Sequence, residues 1–293
     1  MDLGNVAIQL LSGMTVAGYL FMVSAGMTLV FGAMRVINIA HGSFYMYAAF
    51  IVAAIVGKGT GASGMFWVAL LVAPLIVAAM GTATEVTIMR RIYTKEHLTQ
   101  LLATFALFYI FADVALQIWG GAFRSVQAAP VLTGQVNVLG RSFPKYNFFV
   151  MGVAVVVGVA MWLLLQRTKL GWRIRAAVED PELLAATGTN VRLLFTTVFT
   201  IGALLAGVAG AVVAPLVSVA PGLDAGILVE AFIVAVIGGL GSIAGAAIGA
   251  IILGLFQAIG ILWVPTWASA FTYIAMILVL AVRPWGLLGT PER

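Results

Sequence analysis

The chain contains no cysteine, and of its 293 residues only 15 are Lys or Arg and 10 are Asp or Glu. Without cysteine there is no disulfide, no thiolate metal site and no cysteine nucleophile. A charged fraction of 9%, against about 25% in soluble domains, excludes an ordinary water-soluble globule. No Walker lysine is present: in GGLGS, Gly238 to Ser242, the last glycine is followed by Ser242 and Ile243, so the loop is no phosphate cradle and any ATP chemistry belongs to another protein. No basic patch interleaved with aromatics occurs, so the net charge of +5 is read as topological and no nucleic-acid partner is expected. His41 and Ser43 have no third orienting residue and no nucleophile elbow around the serine, so no catalytic residue is expected, and no metal site either. The opening MDLGNVAIQLLSG lacks the positive first region of a signal peptide, and the N-terminus is read as retained.

What the chain has instead is apolar length. Hydrophobic residues make up 63%, and several runs reach the roughly 20 residues that cross a bilayer core as a helix. Only helices satisfy the backbone within each such segment, so the expected fold is all-α: one polytopic domain over 1–293. Spans are placed near Val6 to Phe31, Gly42 to Val56, Met65 to Met89, Leu98 to Trp119, Phe148 to Leu165, Leu193 to Val217, Ala244 to Trp263 and Ala268 to Val282. Gly226 to Gly241 is apolar but short, a full span or a re-entrant half-helix, which makes the count eight or nine.

Lys and Arg set the orientation. With the N-terminus outside and Gly226 to Gly241 counted as a crossing, the inside receives Arg35, Arg90, Arg91, Lys95, Arg167, Lys169, Arg173, Arg175, Arg192, Arg283 and Arg293. The outside keeps Lys58, Arg124, Arg141 and Lys145, and Gly120 to Lys145 becomes the main external loop. One internal echo runs across this layout: AFIVAAIVGKG at Ala49 to Gly59 and AFIVAVIGGLG at Ala231 to Gly241. The two stretches cross in opposite directions, as in inverted-repeat transporters, although apolar low-complexity sequence also produces such matches.

Eight of the charged residues fall in one island, from Gln166 to Arg192, which must therefore lie in water on the inside. Asp180 is a helix N-cap, Pro181 suits the first helical position and Gly188 the residue past the end, which describes one short amphipathic helix. Leu183 and Leu184 are its natural anchors for a groove in a partner.

Polar residues inside apolar stretches are the candidates for a transport path. MRVINIAHGSFYMY, Met34 to Tyr47, breaks the apolar pattern; Asn38, His41, Ser43 and Tyr45 either line a pathway on a broken helix or belong to a turn between spans. Asp113 and Gln117 stand four apart on one helix face. Glu230 opens the Gly226 to Gly241 stretch, and Glu85 lies five residues before Arg90, close to the inner boundary. Each of these is either functional or a packing residue. Gly238, Gly239, Gly241, Gly245 and Gly249 include small-xxx-small spacing and are read as helix-packing residues.

The whole resembles a known family. GMTLVFGAMRVINIAHGSFYMYAAF (Gly26 to Phe50), RAAVEDPELLAATGTNV (Arg175 to Val191) with LLAGVAGAVV (Leu204 to Val213), and FIVAVIGGLGSIAGAAIGA (Phe232 to Ala250) are similar, in order, to the signatures of LivH-type permeases of branched-chain amino-acid ABC transporters. The resemblance implies an importer subunit of the bacterial cytoplasmic membrane, embedded in membrane lipid. It implies a LivM-like second permease, two ATP-binding subunits that bind ATP and Mg, and a periplasmic substrate-binding protein. It also implies that Asp180, Pro181, Glu182, Leu183, Leu184, Ala185, Ala186 and Gly188 couple the permease to the ATPases. Ala185, Ala186 and Gly188 are similar to the importer docking loop, without the acidic residue directly before the alanines. Branched-chain or related amino acids are the implied cargo; amides, urea and aromatic acids are moved by similar permeases. A stand-alone secondary transporter using Glu85 or Asp113 is the rival from another class.

Overall fold

The computed structural model describes residues 3–57 and 63–289. Lys58, Gly59 and Arg293, which entered the orientation and the internal echo, lie outside the described residues. The helices are α1 (Leu3–Met34), α2 (His41–Val56), α3 (Ser63–Thr84), the three-residue α4 (Arg90–Ile92), α5 (His97–Trp119), α6 (Lys145–Arg167), α7 (Lys169–Glu179), α8 (Pro181–Ala186), α9 (Val191–Val213), α10 (Leu223–Gly238), α11 (Ile243–Trp263) and α12 (Ala268–Val282). A π-helical turn, Glu85–Met89, joins α3 to α4.

Six helical segments among the described residues are long and apolar enough to cross a membrane. The eight or nine crossings expected from run length are not reached by full-length helices, because α2 and α10 have 16 residues each and α12 has 15. At 1.5 Å per residue such helices are about 24 Å long, short of a hydrocarbon core of about 30 Å. α1 goes the other way: its 32 residues span about 48 Å.

The bundle is built on backbone contact between helices. α1 packs along α11 and α9, α3 along α9, and α2 against α9 and α3. Small residues stand at the crossings: a Cβ on Gly13 would meet the Gly254 carbonyl, one on Gly26 the Gly202 carbonyl, and one on Gly207 the backbone of Pro74. Absent side chains thus let the helix axes approach, and dispersion over the long seams holds them, since lipid gives apolar surfaces little reason to associate. The hydroxyls of Ser24, Thr15 and Thr82 are satisfied by carbonyls four residues back on their own helices. α5 and α6 are the most exposed of the long helices.

Two features depart from the expected layout. The segment after α5 contains a two-stranded antiparallel hairpin, β1 (Gln135–Val138) and β2 (Arg141–Pro144), where an all-helical chain with an irregular loop was expected. Leu139 and Gly140 between the strands both have positive φ, the two-residue turn whose twist suits a hairpin. The sixth span ends at Val213 rather than Val217; residues 214–216 form a turn, and Val219 then bridges to Arg124 of the segment between α5 and α6.

Candidate functional site

The charged island folds as two helices, not the single one expected. Thr168 caps α7 by accepting from the Gly171 amide, and α7 buries Gly171, Ile174 and Ala177 while Trp172 stays 67% exposed. Asp180 then caps α8: its Oδ1 accepts from the amides of Glu182 and Leu183, both at 2.9 Å. Pro181 occupies the first helical position, where its missing N–H costs nothing. The helix stops at Thr187, and Gly188 follows at φ +84°, in the left-handed region that favours glycine. Asn190 caps α9 through the Leu193 amide at 3.0 Å. Only positions 187–190 therefore separate α8 from a helix that packs on α1, α2 and α3.

The two leucines of α8 are not equivalent. Leu183 is 65% exposed, whereas Leu184 is half-buried and packs back on the chain's own core. Pro181, Glu182, Ala185 and Ala186 are exposed as well, so the presented surface is Leu183 flanked by small and acidic residues. Beside it, a cavity of about 340 Å³ is lined by Leu170, Arg173, Thr187, Asn190, Leu193 and Thr197, among others.

A second constellation lies deep in the bundle, at the start of α2. Residues 35–40 are not helical; they run back alongside α1, so that the buried His41 ring meets the Val23 carbonyl at 3.1 Å through Nε2. A carbonyl accepts only, which puts a proton on Nε2. Ser43 donates to Asp224 Oδ2 at 3.1 Å. Asp224 is 0% exposed and belongs to the first turn of α10, and a Cβ on Gly42 would collide with its carbonyl oxygen. The first turns of α2 and α10 therefore cross, and the carboxylate lies within reach of both. Each helix N-terminus carries the equivalent of about half a positive charge. Asp224 Oδ1 also accepts from the Ala225 amide at 3.1 Å, so a buried Asp outside any ion pair among the described residues is partnered by Ser43 and by its own helix N-terminus.

From that crossing the helices diverge. α2 ends beside Arg124 and Ser125 of the segment between α5 and α6, whereas α10 ends against Gly245, with Gly241 close to Gly32 of α1. The internal echo occupies corresponding places in the two: position 49 of α2 matches 231 of α10, and the same offset carries His41–Val56 onto Leu223–Gly238. At the far end of α10 the tail completes the helix, the Leu287 and Leu288 amides donating to the Ile237 and Gly238 carbonyls. The predicted packing glycines meet there. Gly238 and Gly245 approach backbone to backbone, Gly249 faces the Val234 carbonyl, and Gly239 lies against Gly289.

Of the residues singled out in the sequence, Asn38, His41, Ser43 and Tyr45 are brought together and buried around the start of α2. The Asn38 side chain is 3% exposed and has no hydrogen-bond partner among the described residues on either its oxygen or its nitrogen. Asp113 and Gln117 do not join them. They bond to each other at 2.8 Å on an exposed face of α5. Glu230 is half-buried beside Gln257, which donates to Thr272 of α12. Glu85, read as a boundary residue, is fully buried: Arg90 pairs with it at 3.1 Å and Tyr93 donates to it at 3.0 Å. Burial pushes the Tyr93 phenol up, and the neighbouring Glu85 carboxylate pushes it further. Sequence reasoning missed Asp224 and Thr196. The echo could have found the first, since its offset carries Gly42 onto Asp224; no local signal marks the second.

Comparison with known proteins gives a consistent match over the whole length. The family model described as the permease component of the branched-chain amino acid transport system covers residues 9–280. The high-affinity branched-chain amino acid transport system permease protein LivH of Salmonella typhimurium is 30% identical over 298 residues, 97% of this chain and 96% of that protein. The permease protein BraD of Pseudomonas aeruginosa, from a high-affinity system described in the same words, is 30% identical with the same coverage. The ribose import permease protein RbsC of Escherichia coli is 28% identical over 279 residues, 89% of this chain and 80% of that one.

Proposed function

The chain belongs to the family of permease components of branched-chain amino acid transport systems, and from that premise we propose that it is the membrane subunit of an ATP-driven importer worked by separate ATPase subunits. It is a multi-pass protein of the bacterial cytoplasmic membrane, with six helical segments of spanning length. The observation that carries the coupling role is α8: a capped helix presenting an exposed Leu183, tied by a short link to a central helix, on a chain without a Walker motif. In the helix-in-groove mode, Leu183 is the anchor in the ATPase and Leu184 the anchor in the permease itself.

The cargo in this reading is a branched-chain or related amino acid, delivered outside by a binding protein. The kinship with RbsC means that the family framework alone does not select the cargo, so amides, urea and aromatic acids stay in the panel of substrates to be tested. ATP and Mg are held by the two partner subunits, and a second, LivM-like permease completes the membrane part. Asp113 and Gln117 face outward from the bundle, and we place the path along that face, between the two permeases. Asn38, His41, Ser43 and Tyr45 lie around the start of α2, which packs on α5, and Glu230 lies on α10 beside Gln257; in this reading their part is to hold or move the helices that frame the path. Alternating access then follows from rigid helices pivoting about close backbone contacts.

The test is reconstitution with the ATPases, the second permease and the binding protein in proteoliposomes, with leucine, an amide, urea and an aromatic acid as cargo. ATP-dependent uptake that needs the binding protein supports the reading. Uptake by the purified chain alone, driven by an ion gradient, overturns it.

A further inference from the structure

Motion at α8 must reach the outer helices if the proposed importer is to work, and the inference drawn here rests on that reading. α9 receives the motion directly through residues 187–190. Among the described residues, α3 and the short α4 that continues it each have one side-chain hydrogen bond to α9, both in the half nearest α8. Thr82 meets Thr200 at 2.7 Å, and Arg90, just beyond the π-turn, donates to Thr196 Oγ1 at 2.7 Å. Arg90 also donates through the same Nη2 to Glu85 Oε2 at 3.1 Å, so one guanidinium joins a buried carboxylate to the second turn of α9. Tyr93 closes the group, donating to Glu85 Oε1 and standing edge-on to Phe195 of α9 at 5.8 Å.

The π-turn makes this clasp possible. Residues five apart on an α-helix point about 140° away from each other. Here the Arg90 amide bonds to the Glu85 carbonyl, five residues back, and the two side chains come onto one side. A clasp that only held the bundle shut would have no need of charge, since apolar side chains of similar size pack at least as well. Nor would it need a way out. Glu85 is 0% exposed, but the Arg90 side chain is 35% exposed, so its Thr196 contact can be exchanged for water without stranding the arginine.

We propose that Arg90 is a positioning residue of the transport cycle: anchored on Glu85, it grips α9 at Thr196 in one state of the permease, so that movement of α8 and α9 carries α3 with it. Thr196 is the residue to alter, because the Glu85–Arg90 pair survives its replacement. In the reconstituted complex, Thr196→Val is expected to lower cargo moved per ATP hydrolysed by about fivefold or more, the size of an ordinary coupling free energy. ATP hydrolysis itself stays within about twofold, and Thr196→Ser, which keeps the hydroxyl, restores the ratio. Arg90→Gln reproduces the loss. The proposal is overturned if the ratio is unchanged in Thr196→Val and Arg90→Gln, if Thr196→Ser fails to restore it, or if uptake and hydrolysis fall together with the amount of folded protein. Absence of ATP-driven uptake in the unsubstituted complex overturns the underlying reading instead, and is seen before any variant is compared.

Discussion

Gly42 and Asp224 touch where α2 and α10 cross, and each stands seven residues before its copy of the internal echo. Neither can be enlarged or neutralised freely. Gly42 has no room for a Cβ because the obstruction is backbone, and Asp224 accepts from Ser43 across the same crossing.

Gly42→Ala is therefore expected to destabilise the protein by about 2 kcal/mol, the usual cost of forcing atoms into a packed interior. Gly152→Ala on α6, where nothing lies within 4 Å, serves as the control and should leave the melting temperature in detergent unchanged or slightly raised.

Asp224→Asn keeps the size and the Ser43 contact but removes the charge. If two dipoles hold the carboxylate, about 1 to 2 kcal/mol is lost at neutral pH. Thermal melts of Asp224→Asn, Ser43→Ala and the double variant check this. A near-neutral Asp224→Asn would mean that the carboxylate is protonated in the fold.

Leu183→Asp and Leu184→Asp separate the two faces of α8. The first should abolish cargo-stimulated ATP hydrolysis in the complex without changing the melting temperature of the chain. The second should cost about 2 kcal/mol or more of stability, since it puts a charge on a side chain packed against the core. Equal behaviour of the two would contradict the assignment of faces.

Gly188→Pro should also uncouple the complex while leaving membrane insertion intact. Proline locks φ in the negative, right-handed range and has no amide hydrogen to donate. Gly188 stands at φ +84° and donates its amide to the Ala185 carbonyl at 2.9 Å. The readout is ATPase stimulation alongside the yield of inserted protein.

Arg35→Gly should stabilise the chain by about 1 kcal/mol, because Arg35 ends α1 at φ +53°, where a side chain meets the following carbonyl. A lower melting temperature would show that the arginine makes a contact worth more than that strain.

Membrane class, the capping of α8 and the glycine packing of α10 on α11 were legible in residues 166–192 and 238–249, because each depends on neighbours in sequence. Run length alone placed a full span at α2, which has only 16 residues, left open how far α10 crosses, and set the end of α9 too late. An apolar stretch reads the same whether it crosses the bilayer or starts partway through it, and only its packing partners decide. α7 escaped notice because its apolar face is just Gly171, Ile174 and Ala177, set among four basic residues between 167 and 175.

What the sequence by itself determined is the solvent: so few charges and so much apolar length admit only helices in a membrane, with the one charged island outside it. The tertiary structure decided which polar groups are partnered. Asp113 and Gln117 looked inward by type yet face outward, Glu85 looked peripheral yet is buried with Arg90, and Asp224 gained its importance from a helix at the other end of the chain. Burial and charge compensation are sums over neighbours in space, and a linear chain lists only neighbours in sequence.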